Sequence, residues 1–345
     1  QDEQVDLLIE QLSYRINWDC LTKAICIDSL VVQGVDVNFH PLPTAEPEPT
    51  SGAGLPDTIT LPIGLILNGV DISDLAYQQD GLSVNLSQFL FSAQVNQQGA
   101  TLSPTVNGLT IKMTPSDTTA SAVVAGEPKK KSTKKSKQKA SFTPLRLPSL
   151  KTPLPVFIPA LTLTDFVFDQ GDKPFLLTRF FSSASWVGHD VKIDKIEITL
   201  PELDAAFSGQ VSLQDDWPLS LELSTEVLAD PFLEGQLVGQ KLKLTAQGDT
   251  QKITSDLALK GPVALKLSGW VAPLSEHIDH QLALTWKKLK WPLKGDPEWV
   301  VSRAQIKSRG NLDKLRLDLS SLLSGQAIPD IDLSARVQGN LKEVS

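Results

Sequence analysis

Apolar and polar residues alternate along most of the chain, the pattern of β-strands that bury one face and leave the other in water. The segment LSLEL shows it most clearly, because Leu219, Leu221 and Leu223 are separated by Ser220 and Glu222. The same spacing recurs further on, with glycines between the runs, where turns are expected. We predict that one apolar face is formed by the leucines of these runs: Leu219, Leu221, Leu223, Leu242, Leu244, Leu257, Leu259, Leu265, Leu267, Leu282, Leu284, Leu315, Leu317 and Leu319.

The first third of the chain follows the same rule. Apolar residues alternate over 12–18, 35–39 and 59–67, and 82–95 has the pattern of a hairpin. Pro62 interrupts the third run, which suggests an edge strand or a bulge there. No helical pattern of 10–15 residues separates the strands, as a βαβ fold would require. The sequence therefore predicts an all-β chain with an elongated antiparallel sheet.

Two stretches lack any alternation. Residues 41–56 are rich in Pro, Gly and Ser and are interpreted as a loop. Residues 114–143 include seven lysines and one glutamate between Glu127 and Lys139, so they are expected to be a disordered loop. We accordingly divide the chain into an N-terminal β-segment (1–113), the Lys-rich loop (114–143) and a second β-segment (144–345). The lysines would be either a solvated loop or a contact for anionic lipid headgroups.

An apolar sheet face has to be covered. A second sheet would give a sandwich, closure would give a barrel, and a sheet curled into an open groove would be filled by an apolar ligand from outside. Composition does not choose between these solutions. The smooth Leu and Val character of the face, without a second set of fully buried strands, favours an open groove with an apolar interior.

Composition narrows the function. The net charge of −8 argues against nucleic-acid binding. No run of eighteen apolar residues is present, so we expect no transmembrane helix in this chain. Because the sequence starts at Gln1, we also expect that any targeting segment is missing from it. His277 and His280 lack a third ligand nearby, and no nucleophile elbow, P-loop or dinucleotide fingerprint is found, so we expect no enzyme, metal or cofactor.

The two cysteines, Cys20 and Cys26, are six residues apart. They could close a small disulfide loop in an oxidising compartment, or they could be two buried free thiols. Their spacing does not match a zinc site.

Several segments resemble a known family. The stretch WDCLTKAICIDSLVVQGVDVNF resembles the N-terminal signature of the AsmA-like superfamily. The later segments DWPLSLELS, LKGPVALKLSGWVAPL, KWPLKG and SRGNLDKLRLDLSS resemble repeats of the TamB family, inner-membrane subunits of the translocation and assembly module of Gram-negative bacteria.

The resemblance implies a fragment near the N-terminus of a longer periplasmic protein whose inner-membrane anchor is missing here. It implies a repeating β-groove that holds phospholipid acyl chains, as in bridge-like lipid-transfer proteins. It also implies a TamA-like outer-membrane barrel partner, bound through a C-terminal region that this chain lacks.

Three functions are consistent with these features. The first is a hydrophobic conduit for phospholipids between the two membranes. The second is a scaffold for outer-membrane protein assembly, which would offer sheet edges to incoming strands. The third is a structural β-solenoid with a dry, self-packed core.

Overall fold

The described part of the computed structural model comprises residues 5–22, 24–39, 62–79, 81–114, 147–171, 173–275, 277–311, 313–326 and 329–340. In these residues the chain forms seventeen β-strands and one short 3₁₀ turn, Trp18–Cys20. The first nine strands are β1 (Val5–Ile16), β2 (Ala24–Phe39), β3 (Gly64–Gln79), β4 (Leu82–Asn96), β5 (Gly99–Met113), β6 (Val156–Asp169), β7 (Phe175–Val187), β8 (Asp190–Thr199) and β9 (Leu203–Ser212). The other eight are β10 (Leu219–Val227), β11 (Lys241–Gly248), β12 (Ile253–Lys260), β13 (Leu265–Val271), β14 (His280–Trp291), β15 (Trp299–Gly310), β16 (Leu315–Gly325) and β17 (Ile331–Gly339).

All seventeen strands belong to one sheet, in which each strand pairs with the next one along the chain. The sheet is not closed, because β1 and β17 do not pair with each other among the described residues. This confirms the all-β prediction. It also shows that the segment before the Lys-rich stretch continues into the segment after it as one sheet, through the pairing of β5 with β6.

Two of the strand pairs are parallel, β2 with β3 and β5 with β6, while the others are antiparallel. A parallel pair needs a long connection that brings the chain back to the same end of the sheet. The two stretches without alternation, 41–56 and 114–143, fall within these two connections. Apart from Thr114, both lie outside the described residues, so the expected disorder of the Lys-rich stretch stays a prediction.

The strand predicted over 59–67 begins later than its apolar pattern, at Gly64. Pro62 and Ile63 form a bend before it, since proline has no N–H to donate to a neighbouring strand. Residues 59–61 lie outside the described part of the chain.

Candidate binding groove

The fourteen leucines identified from the sequence lie on one face of the sheet, called the groove face below. Directly opposite residues on neighbouring strands point to the same side, and the registers place leucines opposite leucines. One such line across the sheet is Leu223, Leu244, Leu257, Leu267, Leu284, Ile306 and Leu319. The other predicted leucines alternate in phase with these along the same strands.

The groove face also extends through the first half of the chain. The sequence alone did not show whether that half belongs to the same groove. A second line of directly opposite residues, called the central row, crosses fifteen strands without interruption. Its members are Leu12, Val32, Ile72, Phe89, Val106, Leu163, Phe180, Ile198, Ala205, Thr225, Leu242, Leu259, Leu265, Trp286 and Ala304. Thr225 is its one residue with a hydroxyl, so the row forms an almost continuous apolar strip.

The opposite face of the sheet is polar and charged. Glu222 and Lys243 form an ion pair at 2.8 Å there, and Glu226 and Lys241 form another at 3.0 Å. Ion pairs this exposed contribute little to stability, but they keep the outer face in water. One face of the sheet is therefore apolar and the other is polar and charged, as the alternation predicts.

No second layer of protein covers the groove face in the described residues. All fourteen predicted leucines are partly exposed. The buried apolar side chains of the described part are small or medium in size: Ala24, Cys26, Val35, Val70, Ala93, Ala100, Ala246, Ala272 and Ala304. A sandwich core would bury many Leu, Ile and Phe side chains completely. The sheet is thus an open trough.

A line of backbone bends crosses the first seven strands, and sequence reasoning missed it. In β2 the apolar positions are Leu30 and Val32 before Gly34, but Val35 and Val37 after it. Gly34 adopts φ +65°, in the left-handed region. A single residue of this kind acts like a β-bulge, which bends the strand and shifts the alternation by one position. Apolar residues on both sides of the bend consequently stay on the groove face.

The bends lie in register across the sheet. Four residues with left-handed backbone stand two positions beyond the central row in β2, β3, β5 and β6: Gly34, Asp74, Gly108 and Asp165. Glycine and aspartate are among the residues that tolerate this conformation best. The change of phase in the apolar pattern was the signal in the sequence that could have revealed this line.

The other residues singled out from the sequence have structural surroundings. Cys20 and Cys26 are joined as a disulfide with 6.0 Å between their Cα atoms, beside the 3₁₀ turn. His277 Nδ1 lies 2.7 Å from a carboxylate oxygen of Asp313 in the neighbouring turn. His280 begins β14, with its Nε2 2.9 Å from the hydroxyl of Ser308. Among the described residues, no three His, Cys, Asp or Glu side chains come together as metal ligands would.

Charged side chains on the outer face interact with one another, as around Asp318. Hydrogen bonds from Arg336 and Arg316 lower the pKa of Asp318 on the outer face of β16. A concavity of about 530 Å³ lies on the outer face, among charged residues that include Arg179, Glu226 and Lys241. The groove face itself is a long strip and not a pocket.

These features define a class of protein: an open, one-sheet β-groove with a continuous apolar interior and a charged exterior. A family model of the TamB N-terminal domain matches residues 1–345, the whole chain. The chain belongs to this family.

A curated relative is the translocation and assembly module subunit TamB of Haemophilus influenzae, which is 22% identical over 378 residues. The match covers 100% of this chain but 28% of the relative, so the chain spans little more than a quarter of that protein's length. No solved structure matches the chain. Among the described residues, no helix is long and apolar enough to cross a membrane.

Proposed function

We propose that the groove face binds phospholipid acyl chains and conducts phospholipids between the inner and outer membranes of a Gram-negative cell. The observation that carries the proposal is the continuous apolar strip, partly exposed along its length and without a covering layer in the described residues. Such a large exposed apolar surface is unusual for a soluble domain unless a ligand or partner occupies it.

The energetics favour a groove over a single pocket. Each CH₂ group of an acyl chain costs about 0.8 kcal/mol when it is exposed to water. A strip of uniform Leu, Ile and Val side chains removes this cost at every position, so a chain can slide without crossing a high barrier. Seventeen strands spaced about 4.8 Å apart give a path on the order of 75 Å.

The proposed cellular setting is supported by the family. The relative's name makes it a subunit of a translocation and assembly module. We propose that the full-length protein is held by an inner-membrane anchor, crosses the periplasm, and binds a TamA-like outer-membrane barrel partner through a region outside this chain. The present segment would then be an N-proximal stretch of the conduit.

A second candidate function, scaffolding of outer-membrane protein assembly, is favoured by the edge strand β1. Leu7 and Leu12 are 61% and 58% exposed, and one edge of β1 has no strand partner among the described residues. An extended segment of a client protein could pair with this edge by β-augmentation. In that case the groove face would hold polypeptide and not lipid.

The decisive test is extraction and mass spectrometry of lipid from the purified, detergent-free fragment. The comparison is with a groove-face variant, Leu221→Glu/Leu244→Glu, and with an outer-face control, Ser220→Glu/Gln247→Glu, whose two residues lie opposite each other across β10 and β11. Stoichiometric phospholipid in wild type and control, lost in a still-folded groove variant, supports the conduit. A lipid-free wild type whose groove variant unfolds would overturn it and indicate a dry core, since unpaired buried charge is costly.

A further inference from the structure

One wall of the groove has a notch. The notch lies on the side of the central row where β3 and β14 end. On that side β3 continues for seven residues beyond Ile72, to Gln79, and β14 continues for five residues beyond the row, to Trp291. Between these regions the strands stop early. β10 ends at Val227, two residues beyond the row, and β13 begins at Leu265, which is itself in the row.

The notch is large on the scale of a lipid. It spans the six strands β8–β13, which at about 4.8 Å per strand corresponds to roughly 25–30 Å along the groove. Within the notch the strands are about five residues shorter on this side than the flanking strands, which corresponds to a depth of roughly 16 Å at 3.3 Å per residue. The part of the wall beyond the central row is therefore present on both sides of the notch and absent within it.

A single loop runs along the notch. Residues 228–240, called the strap below, connect β10 to β11 and form the longest described hairpin connection. At its start the backbone N–H of Leu228 donates to the carbonyl of Glu202, in the turn between β8 and β9, at 2.8 Å. At its end the side chain of Gln240 bonds both the N–H and the carbonyl of Val263, beside the turn between β12 and β13.

Among the described residues, the side-chain hydrogen bonds that tether the middle of the strap run to the turn between β14 and β15. The side-chain oxygen of Gln236 accepts from the backbone N–H of Leu293 at 2.8 Å. The ammonium group of Lys294 donates to the carbonyl of Gly235 at 2.6 Å. Each of these bonds depends on one side chain, so the middle could detach while both flanking strands stay paired.

The strap presents apolar side chains at the notch. Phe232 is 89% exposed, and Leu228, Leu233 and Val238 are also exposed. Asp230 orders this part internally by accepting from the backbone N–H groups of Leu233 and Leu237. The strap is thus an ordered loop with an apolar surface that nothing in the described chain covers.

We propose that the notch is a lateral port of the groove and that the strap is its movable cover. Phospholipid enters or leaves sideways between β8 and β13 when the middle of the strap detaches from Leu293 and Lys294. Phe232 and Leu233 shield the acyl chains as they pass the rim. This inference rests on the proposed function, since a port has meaning only if the groove carries lipid.

The test locks the strap. In Gln236→Cys/Leu293→Cys, a short bis-maleimide joins the strap to the facing turn, while Cys20 and Cys26 are protected by their disulfide. The lipid-stripped fragment is mixed with vesicles that contain fluorescent phosphatidylethanolamine, and the loading rate is measured. We expect cross-linking to slow loading at least about tenfold relative to the same variant without cross-linker, as for other gated sites. The amount bound at equilibrium should be unchanged.

Two further variants complete the design. Ser220→Cys/Gln247→Cys, cross-linked on the outer face, should load at the wild-type rate. Gln236→Ala/Lys294→Ala, which removes both tethers, should load faster than wild type. Equal rates with and without the cross-linked strap would overturn the port and indicate entry along the open side of the groove or at its ends. If the wild type loads no lipid at all, the proposed function itself fails, and the port fails with it.

Discussion

Leu223 on β10 lies directly opposite Leu244 on β11, and both side chains remain partly exposed on the groove face. This pair of residues illustrates the structure of the whole groove face. The two leucines contact each other across the sheet, yet no protein layer in the described residues packs on top of them. The strands are paired into a stable sheet, but the apolar side chains on this face are not buried as they would be in a core.

The first prediction concerns the cost of truncating this pair. Leu→Ala in a closed core costs about 2–5 kcal/mol. Because Leu223 and Leu244 are already partly exposed, each single change to Ala should cost only about 1 kcal/mol, with a coupling of about 0.2–1 kcal/mol between them. Urea denaturation of the lipid-free fragment, in a double-mutant cycle, measures both quantities. Single losses above about 3 kcal/mol would instead place the leucines in a dry core.

The second prediction concerns the strap and pH. Hydrogen bonds from the backbone N–H groups of Leu237 and Leu233 lower the pKa of Asp230. A lowered carboxylate pKa stabilises the folded strap above the ordinary aspartate pKa of about 4, and this contribution is lost as the pH falls through the lowered value. Amide hydrogen exchange over residues 230–240, corrected for intrinsic rates, should therefore show protection at neutral pH that disappears in acid.

The matched variant for the strap is Asp230→Asn. It should have weak protection already at neutral pH, and chymotrypsin should cleave it faster after the exposed Phe232 than it cleaves the wild type. Equal cleavage of the two proteins would show that Asp230 does not order the strap.

The third prediction concerns the line of bends. A Cβ at Gly34 would approach the Glu10 side chain to 2.5 Å, and the backbone there has φ +65°. Gly34→Val should destabilise the fold by about 1–2 kcal/mol, chiefly because a β-branched residue resists the left-handed region. The control is Gly339→Ala, where the backbone is not left-handed and no atom lies within 4 Å of the added carbon. Thermal unfolding of both variants checks the difference, and equal midpoints would contradict it.

The fourth prediction concerns the disulfide. Closing a loop of about six residues is worth at most about 2 kcal/mol in the chain-entropy view. Cys20→Ala should therefore lower the unfolding free energy modestly and leave the lipid content unchanged, because the turn at Trp18–Cys20 lies at the end of β1, away from the leucines of β10–β16. Calorimetry and lipid extraction on the same sample test both parts. Loss of lipid on this change would tie the turn to the groove.

Much of the groove face was accessible from the sequence. Alternation along a strand depends only on the local geometry of extended backbone, so a residue such as Leu257 can be assigned to a face without knowledge of its neighbours. The same rule grouped the fourteen leucines on one face, and the absence of helical periodicity excluded helices between the strands. The segments DWPLSLELS and KWPLKG were among those that pointed to the family that the whole-chain comparison shows.

Other features were decided by the tertiary structure. The parallel pairing of β2 with β3 cannot be predicted from alternation, because parallel and antiparallel strands alternate alike. The notch exists because six neighbouring strands end close to the central row, and where each strand ends relative to that row depends on the register in which the strands pair. The strap's tethers join Gln236 to Leu293, 57 residues apart in the chain. Local pattern fixes which way a side chain points, whereas register and long-range hydrogen bonds decide which side chains meet.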